Sequence, residues 1–370
     1  GKFSSFYVYD NSNMEEGLAV ENPNIRSFKA VSINNSLISL SFSLSNVFGF
    51  HAVGTNVDGS TFYIDNYTVD LKTVIIYNRS SLENPKSQFD CLVTSVNESE
   101  LLQETSDIST FSYDNKRRNF RLALACTTEY SDFHIQRAPN SVPKTTQADK
   151  KNIVLAAMNV TLTRLNQIFE RDINVHLNLV NNNREIILVD NDIFANSNAS
   201  LLIDQSQNVI SSIIGNVNYD IGHTFSTGAG GLARIGVCFE SLKASGITGA
   251  AAPVGDAYDV DYVAHEMGHQ FGANHTFNNP CQGNVNVHTA MEVGSGSTIM
   301  SYAGICPPNV QMNVNDYYHY ISIKEMQTFL QSTSCAQKPP INFSAPVIQP
   351  LIPKTIPYGT PFILTANAAD

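Results

Sequence analysis

AHEMGHQFGANHTF, residues 264–277, sets His265, Glu266, His269, Gly272 and His275 in the pattern H-E-x-x-H-x-x-G-x-x-H. His265 and His269 lie four residues apart, so on a helix they share a face and can reach one metal ion. Zinc accepts imidazole nitrogens at about 2.0–2.1 Å, and three protein ligands leave one position open, as a catalytic site requires. Glu266 projects beside the metal rather than onto it, where it can bond a zinc-bound water and serve as general base. Gly272 permits a backbone conformation that other residues resist, so the helix can stop and the chain can turn. His275 then swings in as the third ligand. A bare H-E-x-x-H arises by chance in many unrelated proteins. The added glycine and third histidine, at fixed spacing, make coincidence a poor account, and the string predicts Zn2+ on His265, His269 and His275.

The surroundings read as an α/β domain. RLALACT, residues 121–127, is a buried strand in prospect. Between residues 147 and 170, Leu155, Met158, Leu162, Leu165 and Phe169 recur in steps of three and four, the mark of an amphipathic helix. Ile173, Val175, Leu177 and Leu179 then alternate with Asn174, His176 and Asn178, the period of a strand with His176 on its exposed side. A second helix is expected over 200–214 and a third strand in GLARIGVCF, 231–239. Strand–helix–strand order implies a largely parallel sheet. Residues 1–118 read instead as short strands and turns, such as FYVYD and SLISLSFSL, without a catalytic constellation. Lys116, Arg117 and Arg118 form a basic run, either a solvated loop or a processing site between two domains. Seven of the 15 prolines fall between Pro339 and Pro361, a linker entering a further β-domain. The expected division is 1–118, 119–337 and 338–370, the last being the start of an Ig-like β-domain that a longer natural chain would complete.

Composition narrows the function. The net charge of −11 argues against nucleic acid or an anionic membrane as partner. No apolar run reaches the roughly 18–20 residues that span a bilayer. GKFSSFYVYD at the N-terminus carries no cleavable leader, so an exported protein has already lost it, and a cytosolic one stays open. The six cysteines are widely spaced without a C-x-x-C pair, which fits disulfides in an oxidising compartment and a secreted protein. Ca2+ is a second candidate ion, with Asp190–Asn191–Asp192 its weak site against a plain solvated turn.

The His265–His275 string is the signature by which the chain resembles the metzincin zinc endopeptidases. GSGSTIMSYAGIC, 294–306, supports the resemblance: Met300 matches the methionine of the turn beneath the zinc. Tyr302, two residues on, is similar to the astacin and serralysin tyrosine that contacts the zinc or steadies the transition state. Over residues 119–335 the chain most resembles the reprolysin-like (adamalysin-type) peptidases of bacteria. GAGGLARIGVC, 228–238, looks like their edge strand above the cleft, while HTF after the third ligand is also similar to the pappalysins. The resemblance implies a twisted five-stranded mixed sheet over two long helices and an irregular lower half after Gly272. A peptide substrate would lie in the cleft between them, along the edge strand. It also implies disulfides Cys238–Cys335 and Cys281–Cys306, and a monomer.

Many metzincins carry a prodomain that blocks the cleft, and residues 1–118 stand in that position. Cys91 would then be a switch whose thiolate fills zinc's open position, Zn–S being about 2.3 Å. QFDCLV, 88–93, lacks the glycine that follows the switch cysteine in matrixins and adamalysins, Asp90 could coordinate instead, and a Cys91–Cys126 disulfide is the plain alternative. The leading expectation is a secreted zinc endopeptidase made as a zymogen. Its rivals are a zinc-bearing binding module without hydrolysis and a surface adhesion protein.

Overall fold

RNFRLALAC places apolar side chains on both faces of one strand, which is what a central strand covered on both sides needs. In the computed structural model, which describes residues 4–81, 91–93, 116–228, 230–340, 347–350, 352–363, 365 and 367–369, this run is β7 (Arg118–Cys126). A short helix, α2 (Thr128–Arg137), leads to α3 (Gln147–Ile173). A capping box between Thr146 and Asp149 starts α3, and Asn174 in the left-handed conformation, φ 55°, ends it. Ile153, Leu155, Met158, Leu162, Leu165 and Phe169 carry its buried face. The chain returns in β8 (Val175–Leu179), parallel to β7, and continues through α4 (Ala199–Ile214) to β9 (Ile221–Ser226), parallel to β7 on its other side.

Two short strands complete the sheet: β10 (Gly231–Ala233) and β11 (Gly246–Gly249). The order is β10-β11-β9-β7-β8, parallel except for β10 at the edge, so the five-stranded mixed sheet with two long helices is present. GLARIGVCF is only partly a strand. Pairing stops at Ala233, and the chain turns through Cys238, whose φ is 71° and whose sulfur is tied to Cys335. His176 is not exposed either: it is buried between Glu170 and the Ser12 carbonyl.

Residues 6–78 form a separate antiparallel meander, β1 (Phe6–Asp10), β2 (Ile25–Ser32), β3 (Ser39–Ser45), β4 (Gly49–Thr55), β5 (Thr61–Asn66) and β6 (Val74–Asn78), with α1 (Glu16–Glu21) after the first strand. It packs against α3 through polar groups as well as apolar ones. Asn13 Nδ2 donates to Asn159 Oδ1 at 3.0 Å and Thr163 Oγ1 at 2.9 Å. Arg164, 2% exposed, bridges Asp259 at 2.8 Å and Asp65 of β5.

The basic run is solvated only at its start: Lys116 is exposed and bridges Pro340, Arg117 pairs with Glu170 at 2.9 Å, and Arg118 is 2% exposed within β7. Near the C-terminus, β12 (Val347–Ile348) and β13 (Ala368–Ala369) form a two-residue antiparallel ladder.

Arg164 bridges two carboxylates contributed by different parts of the chain. Replacing it with Met removes the charge and leaves Asp259 buried. Arg164→Met should cost about 3–5 kcal/mol in urea unfolding, far more than a surface Arg→Met change.

Candidate metal centre

A π-helical turn, Ala257–Ala264, runs into α5 (His265–Gln270), all six residues of which are buried. Gly272 ends the helix with φ +99°, a conformation that a side chain resists. The turn brings His275 back onto the helix. The three Nε2 atoms lie 3.2 Å (His265–His269), 3.3 Å (His265–His275) and 3.1 Å (His269–His275) apart.

The other ring nitrogens settle what these atoms are. Nδ1 of His265 meets the Ile299 carbonyl at 2.7 Å, that of His269 the Ala273 carbonyl at 2.7 Å, and that of His275 the Asn284 carbonyl at 2.9 Å. A carbonyl only accepts, so each Nδ1 holds the proton and each Nε2 presents a lone pair. Burial keeps the rings neutral, pushing His265 down to about 4 and His275 to about 3, with His269 well below its usual range. Three lone pairs facing one another repel unless a cation lies among them. With Cys91, whose Sγ is 3.6 Å from His275 Nε2 and 3.8 Å from His269 Nε2, the set of nitrogen and sulfur donors fits zinc.

Cys91 reaches this point on a segment paired to the edge strand: Leu92 N donates to Gly231 O at 2.9 Å, and Tyr302 Oη donates to Cys91 O at 3.1 Å. Cys91 and Cys126 are both buried free thiols, so the alternative disulfide between them is not formed. Asp90, the other candidate, lies outside the described residues. Glu266 is fully buried, and among the described residues neither carboxylate oxygen has a hydrogen-bond partner in ordinary geometry. Burial pushes its carboxyl up to about 8, against a smaller downward pull from the Cys91 thiol. Its slot depends on Gly231: a Cβ there would stand 2.1 Å from Glu266 Oε1.

Met300 lies fully buried under the cluster, where a Cβ on Gly268 would meet its sulfur at 2.6 Å. Tyr302 meets His275 edge to face, with ring centroids 4.6 Å apart. The cysteines pair as expected, Cys238 with Cys335 and Cys281 with Cys306. His223 is behind the active helix rather than in the cleft, 2.8 Å from Gln270 Oε1 and 2.9 Å from Thr248 Oγ1, and His288 is exposed on a loop. Nothing at Asp190–Asp192 supports the calcium expectation. Asp190 accepts from Gln147 and Lys150, and Asp192 from the Thr128 and Phe194 amides, so protein donors already engage both carboxylates.

Two residues escaped the sequence reading. Glu292 accepts from the Thr276 and Thr298 hydroxyls, the Ser297 amide and hydroxyl, and the Thr298 amide. It ties the residue after His275 to the turn that carries Met300. Glu325, on α6 (Tyr320–Ser332), accepts from the Asn274 amide at 2.9 Å and its side chain at 2.7 Å, holding the residue before His275. An isolated glutamate in a polar loop gives no local sign of such a role.

Because Glu292 holds Thr276, next to His275, and Thr298, next to the Ile299 carbonyl that fixes His265, Glu292→Ala should weaken zinc affinity by about 10–100-fold. Competition with a chromophoric chelator would measure it, and Glu292→Gln, which keeps part of the acceptor set, should lie between.

No curated protein matches the chain. A family model described as metallo-peptidase family M12B, reprolysin-like, matches residues 117–326, more than half of the chain.

Proposed function

The chain belongs to the reprolysin-like metallopeptidases of family M12B, and on that premise we propose that it is a secreted zinc-dependent endopeptidase made in a latent form. The observation that carries the reading is the convergence of three neutral imidazole lone pairs beside the buried, unpartnered carboxylate of Glu266. A zinc ion held by His265, His269 and His275 would supply Lewis acidity toward the scissile carbonyl and toward a water. Glu266, as carboxylate, takes the proton of the attacking water and later gives it to the leaving amine. Tyr302, at the rim of the cluster, is placed to donate to the oxyanion once its bond to Cys91 O is released. The Gly231 carbonyl, which now accepts from Leu92 N, would align an extended peptide substrate.

The same contacts support latency. Cys91 would serve as the fourth ligand, and its segment pairs with Gly231 of the edge strand that a substrate needs. Two disulfides suit an oxidising compartment, and no helix among the described residues is long and apolar enough to cross a membrane. A non-catalytic zinc-bearing adhesion or binding protein would leave the unpartnered Glu266 and its glycine-lined slot without a purpose.

Glu266→Ala should keep its zinc by elemental analysis and lose casein cleavage by at least about 10²–10⁴-fold. Treatment of the active form with 1,10-phenanthroline should abolish cleavage, and added Zn2+ should restore it. Near-parental cleavage by the variant would remove Glu266 from the mechanism.

Cys91→Ala should make the full-length chain active without proteolysis, measured as casein cleavage by the uncut protein. A fully latent Cys91→Ala protein would end the switch reading while leaving the peptidase assignment in place.

A further inference from the structure

Arg79, in the turn after β6, is 8% exposed, and its guanidinium donates four hydrogen bonds to residues of the family-matched region. Nε donates to the Val314 carbonyl at 3.0 Å. Nη1 donates to the Asp256 carbonyl at 3.1 Å and to Asp256 Oδ2 at 3.0 Å, and Nη2 donates to Asp261 Oδ1. The acceptors are two carboxylates and two carbonyls, a set that matches a planar fork of N–H groups and not a compact ammonium.

The backbone is shaped to produce this set. Asp256 and Asp261 flank and enter the π-helical turn, five residues apart, and i→i+5 is the hydrogen-bonded spacing of that helix. On an α-helix the same two residues would point about 140° apart. Among the described residues, Arg79 is the only cation ion-paired with either carboxylate. Asp259, between them, has its own partner in Arg164, which comes from the same region of the chain.

We propose that Asp256, Asp261 and the carbonyls of Asp256 and Val314 form a guanidinium-binding pocket, filled in cis by Arg79 and open to an arginine side chain of a basic peptide when the N-terminal segment is withdrawn. The second half rests on the zymogen reading above, and the first does not. The pocket is a recognition site apart from the metal: it lies on the turn that leads into the active helix, and it selects for arginine by fork geometry and for positive charge by its two carboxylates. Once Arg79 leaves, two buried carboxylates lose their countercharge, so an incoming arginine restores a complete set of bonds. A lysine satisfies only part of it.

The test uses the full chain. Arg79→Ala removes Cγ, Cδ and the guanidinium, the atoms of N-ethylguanidinium. The variant should show a lowered Tm, and N-ethylguanidinium should raise that Tm saturably, as a ligand binding only the folded state does. N-ethylurea, which has the shape without the charge, should not, and the wild-type Tm should not respond because Arg79 fills the pocket. Absence of a saturable rise, an equal rise with N-ethylurea, or an equal rise in the wild type would overturn the pocket. If Arg79→Ala does not accumulate folded, Arg79→Lys decides: a Tm below wild type is expected, and an unchanged Tm would overturn the fork recognition. An uncut wild-type chain that cleaves casein as fast as the proteolytically processed one would remove the zymogen reading and leave this rescue untouched, so the two failures are distinguishable.

Discussion

Three imidazole lone pairs held within 3.1–3.3 Å of one another form an arrangement that repels itself, and much of the lower half of the molecule serves to hold it. Each ring is fixed by a carbonyl from a different place: Ala273 just beyond the helix end, Asn284 in the loop that follows, and Ile299 in front of Met300. Those carbonyls stay in register because Cys281–Cys306 closes one loop, Glu292 joins the Thr276 segment to the Met300 turn, and Glu325 grips Asn274. In the chain-entropy model the 25-residue separation of that disulfide is worth about 3.5 kcal/mol. The loops have little regular structure of their own, so their order and the site's affinity for a cation are linked quantities.

The N-terminal sheet meets this frame at three kinds of contact. Asn13 enters a polar pocket on α3, Arg79 and Asp65 engage the charges around the π-helical turn, and Cys91 reaches the imidazoles. Only the last touches the chemistry. The first two are far more extensive, so under the latency proposed above affinity would reside in the contacts of the sheet and its flanking turns, while blockage would reside in one thiol. Such a division would let an inhibitory segment be tight without an unusually strong ligand at the metal.

What could be read from the sequence was local or periodic. The His265–His275 string is legible because helix geometry and one glycine convert spacing directly into proximity. β7, α3 and β8 are legible because their apolar residues repeat with the period of the element. β11 was not, since Gly246-Ile247-Thr248-Gly249 is four residues with two glycines and shows no alternation. GLARIGVCF overran its strand because the left-handed turn at Cys238 is imposed by tertiary packing and a disulfide. Arg118 and Arg79 were illegible for one reason: a charged residue in sequence looks solvated, and only the fold shows the carboxylates and carbonyls that bury it. Glu292 fails the same way, as its five donors come from two segments that only the fold brings together.

The π-helical turn ties these observations together. Asp256 and Asp261 lie five residues apart, the hydrogen-bonded spacing of that turn, and both carboxylates accept from Arg79. His265, four residues beyond Asp261, turns its Nδ1 instead to the Ile299 carbonyl. One continuous helical run thus carries two sets of polar groups with different partners: carboxylates held by an arginine of the N-terminal segment, and imidazoles held by the irregular segment after Gly272.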